Sequence, residues 1–316
     1  MYVPFVRGKA AEMRALIACK DLLQHQYVFP VIDPTRGTKE FWAKLRAMGK
    51  QEIPAAVIVN PEHDELGVDN ADLHRVVGDE LASAYHIYPT LHIRASVSRG
   101  EVEQFLEYYA SRLVALVVES DSISHKTLDQ IIGKRENVDL IALVTRHLPS
   151  TYRPQSNVAK VVIEDPFQRA RENAAYPPEQ FFSDLVDTYA PKGFDGFGDY
   201  QCVGSTPPVT GFTPKAVVIH FSYESNNGVR VKHFVSTDRS EQVAGQVARK
   251  TRQALEKLLE FIESHRPFCG VACRAFVEAA NNGDVPQLLT LKSWSIQHHI
   301  ELMNHLTGRG VHAQSA

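Results

Sequence analysis

The chain is poor in the features that announce a function. Its 316 residues include only four cysteines, four methionines and two tryptophans. Four scattered cysteines make no disulfide framework. Cys269 and Cys273, separated by three residues, lack the second Cys or His pair that would complete a zinc set. The expectation is reduced thiols in a cytoplasmic protein. No apolar run approaches the roughly 20 residues that span a bilayer, which argues against a membrane partner. Pro4, Arg7 and Lys9 interrupt the first apolar run, so it does not read as a signal peptide. The formal charge of -3 supplies no global basic field. A nucleic-acid partner would therefore need a local patch, and Arg249, Lys250 and Arg252 do not extend into one. There is no Gly-rich phosphate loop, no nucleophile elbow and no HExxH helix.

What the chain has is a repeat. With 44% hydrophobic and 22% charged residues, it can bury a sizeable core. Short apolar runs occur at Val3–Val6, Val28–Ile32, Ala55–Val59, Tyr88–Ile93, Val114–Val118, Leu140–Val144 and Val161–Ile163. None alternates with polar residues, as expected of strands covered on both faces. Segments of helical period lie between them: 12–23, 38–48, 69–84, 100–111 and 124–132. With an eighth strand near Phe194–Asp199, these units predict an α/β fold, a (β/α)8 TIM-like barrel over residues 1–200. An open doubly wound sheet is the alternative, but no Gly-rich turn follows the first strand. Residues 165–192 form an aromatic, proline-rich insertion after strand seven. Two β-rich runs around Asn226-Asn227-Gly228 predict a hairpin. An amphipathic helix over 241–264 and one or two short tail helices follow, so 201–316 reads as an appendage packed on the barrel in one structural unit.

Candidate chemistry gathers around Gly193-Phe194-Asp195-Gly196-Phe197-Gly198-Asp199-Tyr200, whose glycines and aspartates suit a pocket rim where backbone approaches a ligand. Functional groups of a barrel sit just past its strands. Arg7, Lys9, Asp33, Asn60, Arg94, Glu119, Arg146, Glu164, Asp165 and Asp199 occupy such positions. Arg7 and Lys9 would hold a phosphate or carboxylate, with Glu12, Asn60, Arg94, Arg146 and Tyr200 completing the substrate site. Asp199, Glu119 and Glu164 are the candidate catalytic carboxylates, and His220 the candidate acid–base group. Asp33 and Asp165 could hold a divalent cation, Mg or Mn. The same groups could instead pair as a buried ion network. His233 shares the hairpin with His220. His298 and His299 are consecutive in a helical segment, about 100° apart, so packing or a subunit contact is expected there rather than one ligand.

Several stretches together are familiar: Tyr2-x-Pro4-x-x-Arg7-Gly8-Lys9-x-x-Glu12, Val59-Asn60-Pro61, the Gly193–Tyr200 segment, Ala216-x-x-x-His220-x-x-Tyr223 with His233-Phe234, and Lys292-x-x-Ser295-Ile296-x-His298-His299-x-Glu301-Leu302. In these motifs the chain resembles bacterial proteins distantly related to the phage "beta protein" family, commonly encoded beside a small restriction-type nuclease. The resemblance implies a barrel-like component of an anti-phage or mobile-element conflict module, with that nuclease as a partner. It brings no reaction and no catalytic residues; it marks Arg7, Lys9, Glu12, Asn60, Asp199, His220, His233, His298 and Glu301. Two functions are expected, the first from the ring of charged groups beside Gly193–Tyr200 and the second from the resemblance. One is a metal-assisted phosphoester hydrolase with an anionic, phosphate- or nucleotide-like ligand at the barrel mouth. The other is a non-catalytic recognition or regulatory partner of the nuclease. A homo-oligomer is left open.

Overall fold

Runs of β-branched and small apolar residues, buried on both faces, become parallel strands here, and the segments between them return the chain over the outside. The computed structural model describes residues 1–25, 27–62, 70–206, 215–238 and 246–314. The first residues of the helices expected over 69–84 and 241–264 lie outside that range. The first part of the chain runs β1 (Tyr2–Val6), α1 (Ala10–Ala18), α2 (Lys20–His25), β2 (Val31–Ile32), α3 (Lys39–Lys50) and β3 (Ala55–Ile58). Then come α4 (Asn70–Leu73), continued by a π-helical run His74–Glu80, and β4 (Ile87–Ile93), α5 (Arg99–Tyr108), β5 (Val114–Val118), α6 (His125–Ile132), β6 (Val138–Val144) and β7 (Ala159–Glu164). β8 (Glu179–Ser183) and α7 (Leu185–Thr188) precede β9 (Gly196–Asp199). Strands β1 to β7 and β9 close in that order into an eight-stranded barrel, parallel throughout. The fold is the expected TIM-like barrel.

Local chemistry sets the helix starts. Thr38 and Ser124 accept the N–H of Phe41 and Thr127, and Ser98 forms a reciprocal capping box with Glu101.

Contacts divide the chain into two units. The first comprises 1–13, 20–165 and 188–199; the second comprises 14–19, 166–187 and 200–316. The boundary differs from a cut at residue 200, because most of the insertion belongs to the second unit. The reason is β8, which the sequence reading took for loop. It pairs antiparallel with β11 (Gly228–Val235), which pairs with β10 (Val218–Ser225), giving a three-stranded sheet in the order β10-β11-β8.

Alternation splits this sheet into two faces. Ile219, Phe221 and Phe234 join Leu255, Leu258 and Phe261 of α8 (Gln246–His265), Phe276 of α9 (Val271–Asn282) and Leu291 of α10 (Leu288–Gln314) in one core. The final helix, at 27 residues, is far longer than the short tail helices expected. The expectation of four reduced cysteines is also corrected. Cys269, just before α9, and Cys273, in its first turn, have Cα atoms 5.0 Å apart and are joined as a disulfide, while Cys19 and Cys202 are buried free thiols. Among the described residues no helix is long and apolar enough to cross a membrane.

Candidate functional site

Strand register decides which side chains face the barrel lumen. The rings of Phe5 on β1 and His92 on β4 approach to 6.2 Å although the two strands are not neighbours, so both point inward. Side chains alternate along a strand, and laterally paired residues share a face. The pairs His92–Val117, Val117–Ala142, Ala142–Val161, Ile163–Gly198 and Gly198–Val3 carry this parity round the barrel and back to β1. Asp199 pairs with Pro4 and with Glu164, one position out of phase. Both carboxylates therefore lie on the outer face of the wall. Asp199 is buried there and its Oδ1 accepts the Tyr2 hydroxyl at 2.8 Å, in a row where Tyr2, Phe197 and Tyr189 pack ring against ring. The expectation that Asp199 and Glu164 act at the mouth is corrected by this parity.

The glycines around Asp199 serve the same strand. A Cβ on Gly196 or Gly198 would overlap the carbonyl oxygen of Met1 or Val3 on β1. The close approach anticipated in this segment is real, but its partner is the neighbouring strand rather than a ligand. Asp195 belongs to this seam too: its N–H donates to Lys160 O and its Oδ2 accepts the Lys160 N–H, both at 2.8 Å.

Several expected groups do meet at the mouth. Arg94 donates to Asn60 O at 2.9 Å, and its guanidinium lies 3.7 Å from Asp33, 3.7 Å from Glu62 and 3.8 Å from Glu119. Glu119 Oε2 is 2.9 Å from His92 Nε2, and its other oxygen is 3.6 Å from His147. The hydrogen bond from His92, then the positive charge of Arg94, hold Glu119 below the usual carboxylate range. Burial lowers His92, against the pull of Glu119.

The remaining expected positions are structural or lie elsewhere. Glu12 sits in the first turn of α1, and its Oε2 accepts the backbone N–H groups of Arg7 and Lys9 at 2.9 Å each, as a helix cap does. Asn60 spends both ends of its amide on the backbone of His92, extending the β3–β4 ladder. Arg7 is buried. Arg146 is exposed, and its neighbour His147 takes the contact with Glu119. Asp165 follows the end of β7, and Tyr200 and His220 belong to the second unit. Among the described residues no group of three His, Cys, Asp or Glu side chains is arranged to hold a metal ion.

His92, His147 and Glu62 were missed. Two-residue alternation along β4 would have put His92 on the same face as Thr90 and Arg94, but it lay hidden in an apolar run.

In the second unit the double-histidine motif is used for packing. Nε2–H of His298 donates to Ser222 O at 2.9 Å, His299 Nδ1 meets Ser222 Oγ at 2.6 Å, and His298 stacks on Phe221 at 3.9 Å. Glu301 accepts the Ala272 N–H near the start of α9 and the Gln297 amide.

His220 and His233 face each other across the hairpin with Nδ1 atoms 2.7 Å apart. A cavity of about 230 Å³ opens beside His220. A second cavity, of about 510 Å³, lies at the N-terminal ends of β5 and β6, against Arg112 and Asn137. Arg112 is committed there to the carbonyls of Val77 and Ile87. That end of a barrel reads as stability rather than catalysis.

No family model and no curated protein matches the chain. Among solved structures it is similar to a DUF72 family protein from Enterococcus faecalis, with a TM-score of 0.37 at 8% identity, over 63% of this chain and 89% of that one. The barrel assignment rests on the strand order given above, not on this likeness.

Proposed function

We propose that the chain is a non-catalytic recognition or regulatory component of a bacterial anti-phage or mobile-element conflict module, acting with a neighbouring restriction-type nuclease. The observation that carries this reading is the state of the barrel mouth. Its inward groups are engaged with one another, Arg94 lying within 4 Å of Asp33, Glu62 and Glu119, while Asp199 and Glu164 face outward. A hydrolase needs reacting groups aimed at open space for substrate; a scaffold can satisfy its strand ends with paired charge. The nuclease and the setting come from the motif resemblance alone. Co-expression with the adjacent nuclease should give a complex that co-elutes at micromolar concentration, and separate elution of two well-folded proteins would defeat the reading.

Phosphoester hydrolysis at the mouth is the second reading. It is favoured by Glu119, whose side chain is 31% exposed beside the cation Arg94. A preparation that turns over phosphoesters, and loses that turnover in Glu119→Gln, would establish it.

A further inference from the structure

The second unit holds a cavity for which the mouth has no use. Its polar wall is assembled from separate parts of the chain: Arg169 and Tyr176 from the segment around β8, His220 from β10, and Lys292 and Ser295, one helical turn apart, from α10. Phe167 supplies an aromatic wall. Among the described lining residues there is no Asp or Glu. A cavity with two cations, two hydroxyls and an imidazole, and no carboxylate in its lining, is built for an anion.

The polar groups are held in place. Arg169 donates to the carbonyl of Val203, which fixes its guanidinium. The ring of Tyr176 lies 4.7 Å from both His220 and His233, and that of Phe167 lies 5.2 Å from His220. Burial, then the charges of His233, Lys292 and Arg169, holds His220 well below the ordinary histidine range. Arg169, Lys292 and the His220 ring line the same cavity, so both cations face one volume of space.

We infer that this cavity binds a small phosphate monoester, with the phosphate between Arg169 and Lys292 and the organic body against Phe167. A phosphate monoester carries about -1.5 to -2 at neutral pH, which matches two cations better than a single carboxylate does. A guanidinium fork and a flexible ammonium are the usual pair for its oxygens. The volume falls below the roughly 300 Å³ at which pockets for drug-sized ligands begin, so the body is about a sugar or one ring system in size. Binding here does not depend on whether the mouth is catalytic. Only its role, as the signal read by a recognition protein, rests on the proposed function.

The test is calorimetric titration of the full chain with inorganic phosphate, ribose 5-phosphate and AMP, with ribose and adenosine as uncharged controls. Saturable binding of at least one monoester and none of the controls is expected, and Lys292→Met should weaken it at least about tenfold. In parallel, the imidazole resonances of His220 in the unsubstituted protein should shift on titration, which decides the matter if Lys292→Met does not fold. No heat and no His220 shift with any of the three phosphates up to about 5 mM would overturn the inference. So would unchanged affinity in a folded Lys292→Met, or adenosine binding as tightly as AMP. None of these results bears on the nuclease complex, so the two proposals fail separately.

Discussion

Ser222 serves two consecutive histidines, offering its carbonyl to His298 and its hydroxyl to His299. All three residues are buried, so neither histidine can turn to water when the partner is removed. Ser222→Ala should therefore strand a buried ring nitrogen of His299 and lower the unfolding free energy by about 1–3 kcal/mol, measured by urea denaturation. Glu12→Gln is a milder case, since the amide oxygen can still accept from Arg7 and Lys9 but without its charge; a loss of about 0.5–1 kcal/mol is expected. Both motifs stood out in the sequence, and the 100° helical step pointed to packing rather than one ligand for the two histidines. What the residues could not reveal alone is that one serine, distant in sequence, supplies a main-chain and a side-chain partner together.

At the level of the element, β9 shows how a motif can be located and misread. Its glycines mark a close backbone approach, which sequence reasoning recovered. Whether backbone or ligand makes that approach depends on which strand lies beside it, and that is set by barrel closure. Gly198→Ala would drive a Cβ into Val3 O on β1 and should remove soluble folded protein, seen as loss of the cooperative unfolding transition. Gly193→Ala is the control: its φ is +82° and nothing lies within 4 Å of a Cβ, so only backbone strain of about 1–2 kcal/mol is expected. The same limit explains Asp199 and Glu164. A residue just past a strand faces the lumen or the outside according to a parity that slips with one residue of register. The strands were legible to within a few residues, but that parity was not. β8 was illegible for another reason, since its partner β11 lies some fifty residues downstream and Pro177 and Pro178 disguise its start.

Across the whole molecule, three buried histidines and the half-buried His220 give stability a common pH dependence. Burial lowers His233 and His298 to about 4, and it lowers His220 and His92 as well. In each case the unfolded chain binds a proton near pH 6.5 and the folded chain resists it, so stability falls as pH drops below 6.5 and levels off only beneath the folded values. Glu301 opposes this. Burial raises its carboxyl, so between 4.5 and its folded value the native state holds the extra proton. His74, His305 and the carboxyls of Glu119 and Glu179 are lowered too and act with the four histidines, so the net direction is unchanged. The urea midpoint should fall between about pH 7.5 and about pH 4.5, and a flat profile would refute the neutral buried histidines.

The central claim at this scale is that the paired charges of the barrel mouth are architecture rather than catalytic machinery. Phage plating on cells carrying the complete gene neighbourhood, with Glu119→Gln as the only change, tests it most directly. The substitution keeps shape and hydrogen bonding at a partly exposed side chain, so protein level can be matched to the unsubstituted system. Protection against phage should be retained. Loss of protection at equal protein level would contradict the account and return the mouth to the role of an active site.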